Sequence, residues 1–154
     1  LGRDTIIGDP PDNPNDFTRT GPGKVDVAAI EGDKTFVVDE AKSGDSPNYS
    51  SRATENGVRA QQGTLDYIKD LLSGKNQDPR IIETLTRLKQ EGKHPKFFEN
   101  LAAGKVELAY ELIQARTNGN VTASNFRIAP PGGKIMLTWG GKGDLKITIV
   151  PKGK

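Results

Sequence analysis

The chain has 154 residues, 33% of them hydrophobic and 27% charged, with 22 Lys and Arg against 20 Asp and Glu, one His and no Cys; this is an ordinary length for one domain. The lack of Cys excludes disulfides, Cys-ligated zinc and thiol catalysis, and a single histidine, His94, excludes mechanisms that need a pair. Carboxylate and lysine chemistry remains. No run of about 18 apolar residues is present, so no membrane-spanning helix is expected. The start at Leu1 fits a piece excised from a longer polypeptide.

Charge is unevenly distributed. Residues 1–77 carry 9 Lys and Arg against 13 Asp and Glu, net −4, while residues 78–154 carry 13 against 7, net +6. Such a division is expected if carboxylates bind a metal while lysines hold a polyanion nearby, and it is equally what an uneven solvated surface gives.

Residues 1–24 hold four Gly and four Pro with scattered Asp and show neither helical nor strand periodicity, which reads as an extended arm ahead of a domain spanning residues 25–154. The runs VDVAAI and TFVVDEAK read as two strands joined by a turn at Gly32 and Asp33. A helix is expected over about residues 52–73, with Leu65, Ile68, Leu71 and Leu72 at helical spacing and Gly57 and Gly63 weakening its first half. Asp78-Pro79 reads as an N-cap followed by proline at the first helical position, with the helix ending at Gly92. His94-Pro95 opens a shorter helix carrying Phe97, Phe98 and Leu101. A further helix is expected from Val106 through Leu108, Ala109, Leu112 and Ile113. Residues 121–128, 134–139 and 145–150 read as strands, the last two joined by a glycine-rich turn at residues 140–143. The sum is an α+β, or mixed α/β, layer structure with a C-terminal β-hairpin.

Chemistry concentrates at the end of the second strand, where Asp39, Glu40, Ala41 and Lys42 follow VV. Alternation puts Glu40 and Lys42 on one face, about 7 Å apart along the chain. Hydrolysis of a phosphodiester needs oxygen ligands for a divalent cation and a positive charge near the attacking water, roles that Glu40 and Lys42 suit. Asp26 on the preceding strand is the candidate second acid. A two-residue hairpin at Gly32-Asp33 places Asp26 opposite Asp39, both pointing away from Glu40; a three-residue loop or a bulge restores Asp26 to Glu40, so an irregularity between residues 26 and 40 is expected.

Asp26, thirteen intervening residues and Glu40-Ala41-Lys42 resemble the D…ExK signature of the PD-(D/E)XK, or restriction-endonuclease-like, nuclease superfamily. EAKSG followed by AQQGTLDYI is more specifically similar to the EAKG…QGT..Y pattern of restriction-endonuclease-fold toxin domains at the C-termini of bacterial polymorphic and contact-dependent inhibition toxins, over residues 25–68. The resemblance implies a restriction-endonuclease-like core, a central sheet flanked by helices. It implies that Asp26 and Glu40 bind a divalent metal, Mg²⁺ foremost and Mn²⁺ or Zn²⁺ as alternatives, with the Ala41 carbonyl as a further ligand. Lys42 then positions or activates water, Gln62 joins the catalytic group, and Arg59 and Gln61 contact substrate. It also implies DNA or tRNA as substrate, a cognate immunity protein as partner, and delivery by a larger secreted toxin into the target-cell cytoplasm. The superfamily usually places a helix before the first strand, and residues 1–24 do not read as one.

Set against this is a non-catalytic binding module in which Glu40 and Lys42 are a solvated ion pair, and a carboxylate-pair glycan hydrolase; an aromatic content of 6% argues against a sugar cleft. His94 reads as an exposed loop residue, and Trp139, alternating with Ile135 and Leu137, as core.

Overall fold

The structure, a computed structural model, describes residues 3–7, 27–140 and 144–151. Strand β1 (Arg3–Ile7) runs antiparallel to β2 (Val27–Glu31), which runs antiparallel to β3 (Thr35–Ser43). β3 then pairs in parallel with β6 (Val106–Ala115), from Thr35 with Glu107 to Ser43 with Ala115. The sheet forks beyond β6: β8 (Lys134–Trp139) pairs with its first two residues and β7 (Val121–Asn125) with Glu111 to Ala115. β9 (Leu145–Val150) completes the C-terminal hairpin with β8. The residues between β3 and β6 hold a separate small hairpin of β4 (Ser51–Ala53) and β5 (Arg59–Gln61), then α1 (Leu65–Leu72), α2 (Pro79–Gln90) and α3 (Pro95–Ala102). This is the α+β architecture that the sequence leads one to expect.

The core lies on one face of the sheet. Ala28, Ile30, Phe36, Val38, Val106, Leu108, Tyr110, Ile135 and Leu137 project there and meet Ile68, Leu71, Ile81, Leu85, Phe97 and Leu101 from the three helices. Two of the helices are capped at their first turn by side chains. The Thr64 hydroxyl accepts from the Tyr67 amide, and the Asp78 carboxylate accepts from the Arg80 amide ahead of Pro79. Trp139 packs edge-on against Phe98 at 6.2 Å, partly buried at the margin of the core.

Four expectations need correction. Residues 52–64 are not the first half of a helix: Ala60 is buried between exposed Arg59 and Gln61, a strand pattern, and Gly57 and Gly63 take φ of +83° and +88°, which a right-handed helix cannot contain. Residues 106–115 form a strand, with Val106, Leu108, Tyr110, Leu112 and Gln114 buried in alternation. The apolar residues of VELAYELI satisfy a period of 3.6 as well as of 2, and pairing along the length of β3 selects the strand. Within the segment read as an arm, Arg3–Ile7 is an edge strand. His94 is half-buried at the start of α3, its Nε2 bonded to Asp4 Oδ2 at 2.6 Å, so it ties α3 to β1.

The β2–β3 connection has the irregularity expected of it. Three residues, 32–34, separate Glu31 from Thr35, and the register runs to Val27 opposite Asp39. Asp26 lies outside the described residues. Because Leu71 is fully enclosed between α1 and the sheet, Leu71→Ala is expected to lower stability by about 2–5 kcal/mol, read from urea unfolding.

Candidate active site

Glu40 and Lys42 continue the face of Phe36 and Val38, so both emerge on the helix side of β3. Glu40 is completely buried and Lys42 half-buried. Gln62 arrives from a different part of the chain, between the end of β5 and the N-cap of α1. The Gln62 amide N–H donates to the Ser50 carbonyl at 2.8 Å and its side-chain carbonyl accepts from the Ser50 amide at 2.9 Å, which fixes its direction. From there it bridges the two charged groups: Lys42 Nζ donates to Gln62 Oε1 at 2.6 Å, and Gln62 Nε2 donates to Glu40 Oε2 at 3.2 Å. Three residues singled out in the sequence thus form one hydrogen-bonded chain.

Tyr110 is a fourth member that the sequence did not suggest. Its hydroxyl donates to Glu40 Oε1 at 3.1 Å and accepts from the Gly63 amide at 3.1 Å. Burial, followed by the charge of Glu40, pushes its phenol far above the ordinary tyrosine range, so it stays protonated and able to donate. Alternation along β6 was the signal that could have found it, but only once that segment is read as a strand. Phe126 packs against the Tyr110 ring at 4.6 Å and against Tyr49 at 6.0 Å, and Lys42 Nζ stands 6.0 Å from the Tyr49 ring.

The other expected site residues fall elsewhere. Arg59 and Gln61 occupy the exposed side of the small hairpin, bonded to the Ser51 hydroxyl and the Tyr49 carbonyl. Ala41 sits between Glu40 and Lys42 with its side chain exposed, opposite Ile113 of β6. Among the described residues no three His, Asp or Glu side chains form a metal-binding group. The Tyr110 hydroxyl and the Gln62 amide nitrogen both donate to Glu40, and Gln62 Oε1 is occupied by Lys42 and Ser50, so a hard divalent cation here would have the Glu40 carboxylate and the neighbouring Ala41 carbonyl as its described oxygens and would draw the rest from water and phosphate. A cleft of about 720 Å³ opens where β7 and β8 diverge; Tyr110 and Phe126 line it but Glu40, Lys42 and Gln62 do not.

Asp39 points to the opposite face, with Glu111 of β6 and Glu31 of β2, and Arg3 of β1 gathers this group. The guanidinium donates to Glu111 at 3.0 and 3.2 Å and to Glu31 at 3.0 Å, and lies 3.9 Å from Asp39. Burial and the adjoining Glu111 carboxylate push the Asp39 carboxyl up to about 7. Glu111 is held below its ordinary value; burial acts upward on it but is outweighed by its bonds to Arg3 and Asp39.

The class defined by these features is an α+β domain with a forked seven-stranded mixed sheet and, on the helix-covered face, a Glu–Gln–Lys chain of which the glutamate is buried. No protein-family model, curated protein or solved structure matches the chain. Among the described residues no helix is long and apolar enough to cross a membrane.

Two outcomes are expected here. A Cβ at Gly63 meets the Phe126 ring at 2.6 Å in a left-handed conformation, so Gly63→Ala is expected to cost at least about 1–2 kcal/mol in denaturant unfolding; an unchanged midpoint contradicts the geometry. Between the ordinary aspartate value of 3.8 and about 7 the folded chain keeps a proton on Asp39 that the unfolded chain has released. Stability therefore falls as pH rises through this window and levels above it. Asp39→Asn is expected to remove that fall from the melting temperature measured against pH.

Proposed function

We propose that the chain is a metal-dependent nuclease domain with a restriction-endonuclease-like core, hydrolysing phosphodiester bonds of DNA or tRNA. The observation that carries this reading is the chain Lys42–Gln62–Glu40, in which Gln62, 20 and 22 residues distant from the other two, is joined to them by bonds of 2.6 and 3.2 Å. The D…ExK resemblance implies a glutamine facing the acid and the lysine from the helix; Gln62, in the turn between β5 and α1 and not on the helix, contacts both. The succession β2, β3, then helices, then β6 parallel to β3 is also compatible with such a core.

On this reading Glu40, Asp26 and the Ala41 carbonyl would hold a divalent cation, which would neutralise charge on the phosphate. Lys42 gives one N–H to Gln62 and keeps the others for the attacking water or a phosphate oxygen. Gln62 sets the spacing of ammonium and carboxylate, so neither has to be oriented by substrate. The buried Tyr110 and the partly buried Phe126 close the site from the β6 side. The similarity of EAKSG and QGT..Y to toxin C-termini further makes this the effector end of a larger secreted protein, acting in the cytoplasm of a target bacterium and restrained by an immunity protein.

The purified domain is expected to cleave plasmid DNA or total tRNA with Mg²⁺ and not with EDTA. Glu40→Gln and Lys42→Ala are each expected to reduce the rate by about 10²-fold or more. Equal behaviour of all forms would make the Glu40 network a purely structural tie between β3 and α1 and favour the binding module.

A further inference from the structure

We propose that Tyr110 is a positioning residue for Glu40, fixing the plane of its carboxylate for cation binding; the inference rests on the nuclease reading above. A carboxylate rotates readily about its last torsion, so a metal ligand needs its oxygens held from outside. Here each oxygen has its own anchor. Gln62 Nε2 donates to Oε2 and the Tyr110 hydroxyl to Oε1. Tyr110 can give its proton only in that direction, because the lone-pair side of its oxygen receives the Gly63 amide at 3.1 Å.

The two anchors are mechanically linked. Gly63 follows Gln62 directly, and the Phe126 ring fills the space that a side chain on its left-handed backbone would need and in turn packs on the Tyr110 ring. Tyr110 is itself fixed by burial at 2% exposure and by the pairing of Val38 with Tyr110 in the β3–β6 ladder. A shift of the phenol therefore moves Glu40 and the Gln62 turn together, whereas loss of the hydroxyl alone frees one oxygen and leaves the packing intact.

Tyr110→Phe is the direct test, with Phe126→Leu as a control that loosens ring packing and keeps the hydroxyl. Mn²⁺ binding is measured by calorimetry on the full 154-residue chain, alongside the cleavage assay and thermal melting of each variant. For Tyr110→Phe the Mn²⁺ dissociation constant is expected to rise about 10- to 100-fold, the usual effect of removing an outer partner of a metal ligand. KM for nucleic acid should stay at the wild-type value, and the double variant with Glu40→Gln should bind no more weakly than Glu40→Gln alone. Phe126→Leu should lower the melting temperature without that loss of affinity. If Tyr110→Phe binds Mn²⁺ as the wild type does, the positioning role is overturned and the nuclease reading stands. If the wild type binds Mn²⁺ no better than Glu40→Gln and cleaves nothing, the nuclease reading falls and the proposal falls with it.

Discussion

Parallel pairing of β3 with β6 forces the chain between them to return along the whole length of the sheet, which takes a long crossover. Residues 44–105 make that return. They carry the small hairpin and all three described helices, and their apolar sides cover the face on which Phe36, Val38, Leu108 and Tyr110 lie. The same ladder sets the site. Glu40 stands two residues beyond Val38 on β3, and Tyr110 is the partner of Val38 on β6, so the tyrosine reaches the carboxylate along the face. The crossover places Gln62, the residue after its hairpin, close to both.

The two faces of β3 treat adjacent acids differently. Glu40 is met by neutral donors, a tyrosine hydroxyl and a glutamine amide. Asp39 is buried, met by another carboxylate and only distantly by Arg3, so its proton is retained to near neutrality. One charged cluster thereby binds the edge strand β1 to β6 across the sheet, while the other presents a lysine and a carboxylate joined through one amide. Arg3 spans three carboxylates and so balances a group that would otherwise repel itself.

Much of this was legible in the sequence because local signals were unambiguous. Asp78-Pro79, the alternation of Ile135, Leu137 and Trp139, and the paired strands around Gly32 each had a single physical interpretation. The face shared by Glu40 and Lys42 followed from strand alternation alone, and Gln62 came from resemblance to toxin domains. Residues 106–115 failed because their apolar positions fit two periods, and only the partner strand distinguishes them. That failure concealed Tyr110, since a helix would not have aimed residue 110 at Glu40. The hairpin at residues 51–61 was missed for a related reason: its strands are three residues each, too short for periodicity to register. Arg3 and Glu111 are 108 residues apart, and no local pattern links them.

Diffraction from crystals soaked in Mn²⁺, recorded near the manganese absorption edge, tests the central assignment most directly. The account predicts an anomalous peak in contact with the Glu40 carboxylate on the helix-covered face of β3, beside Lys42 and Gln62. A peak among Glu31, Asp39 and Glu111 on the opposite face, with none at Glu40, would contradict it.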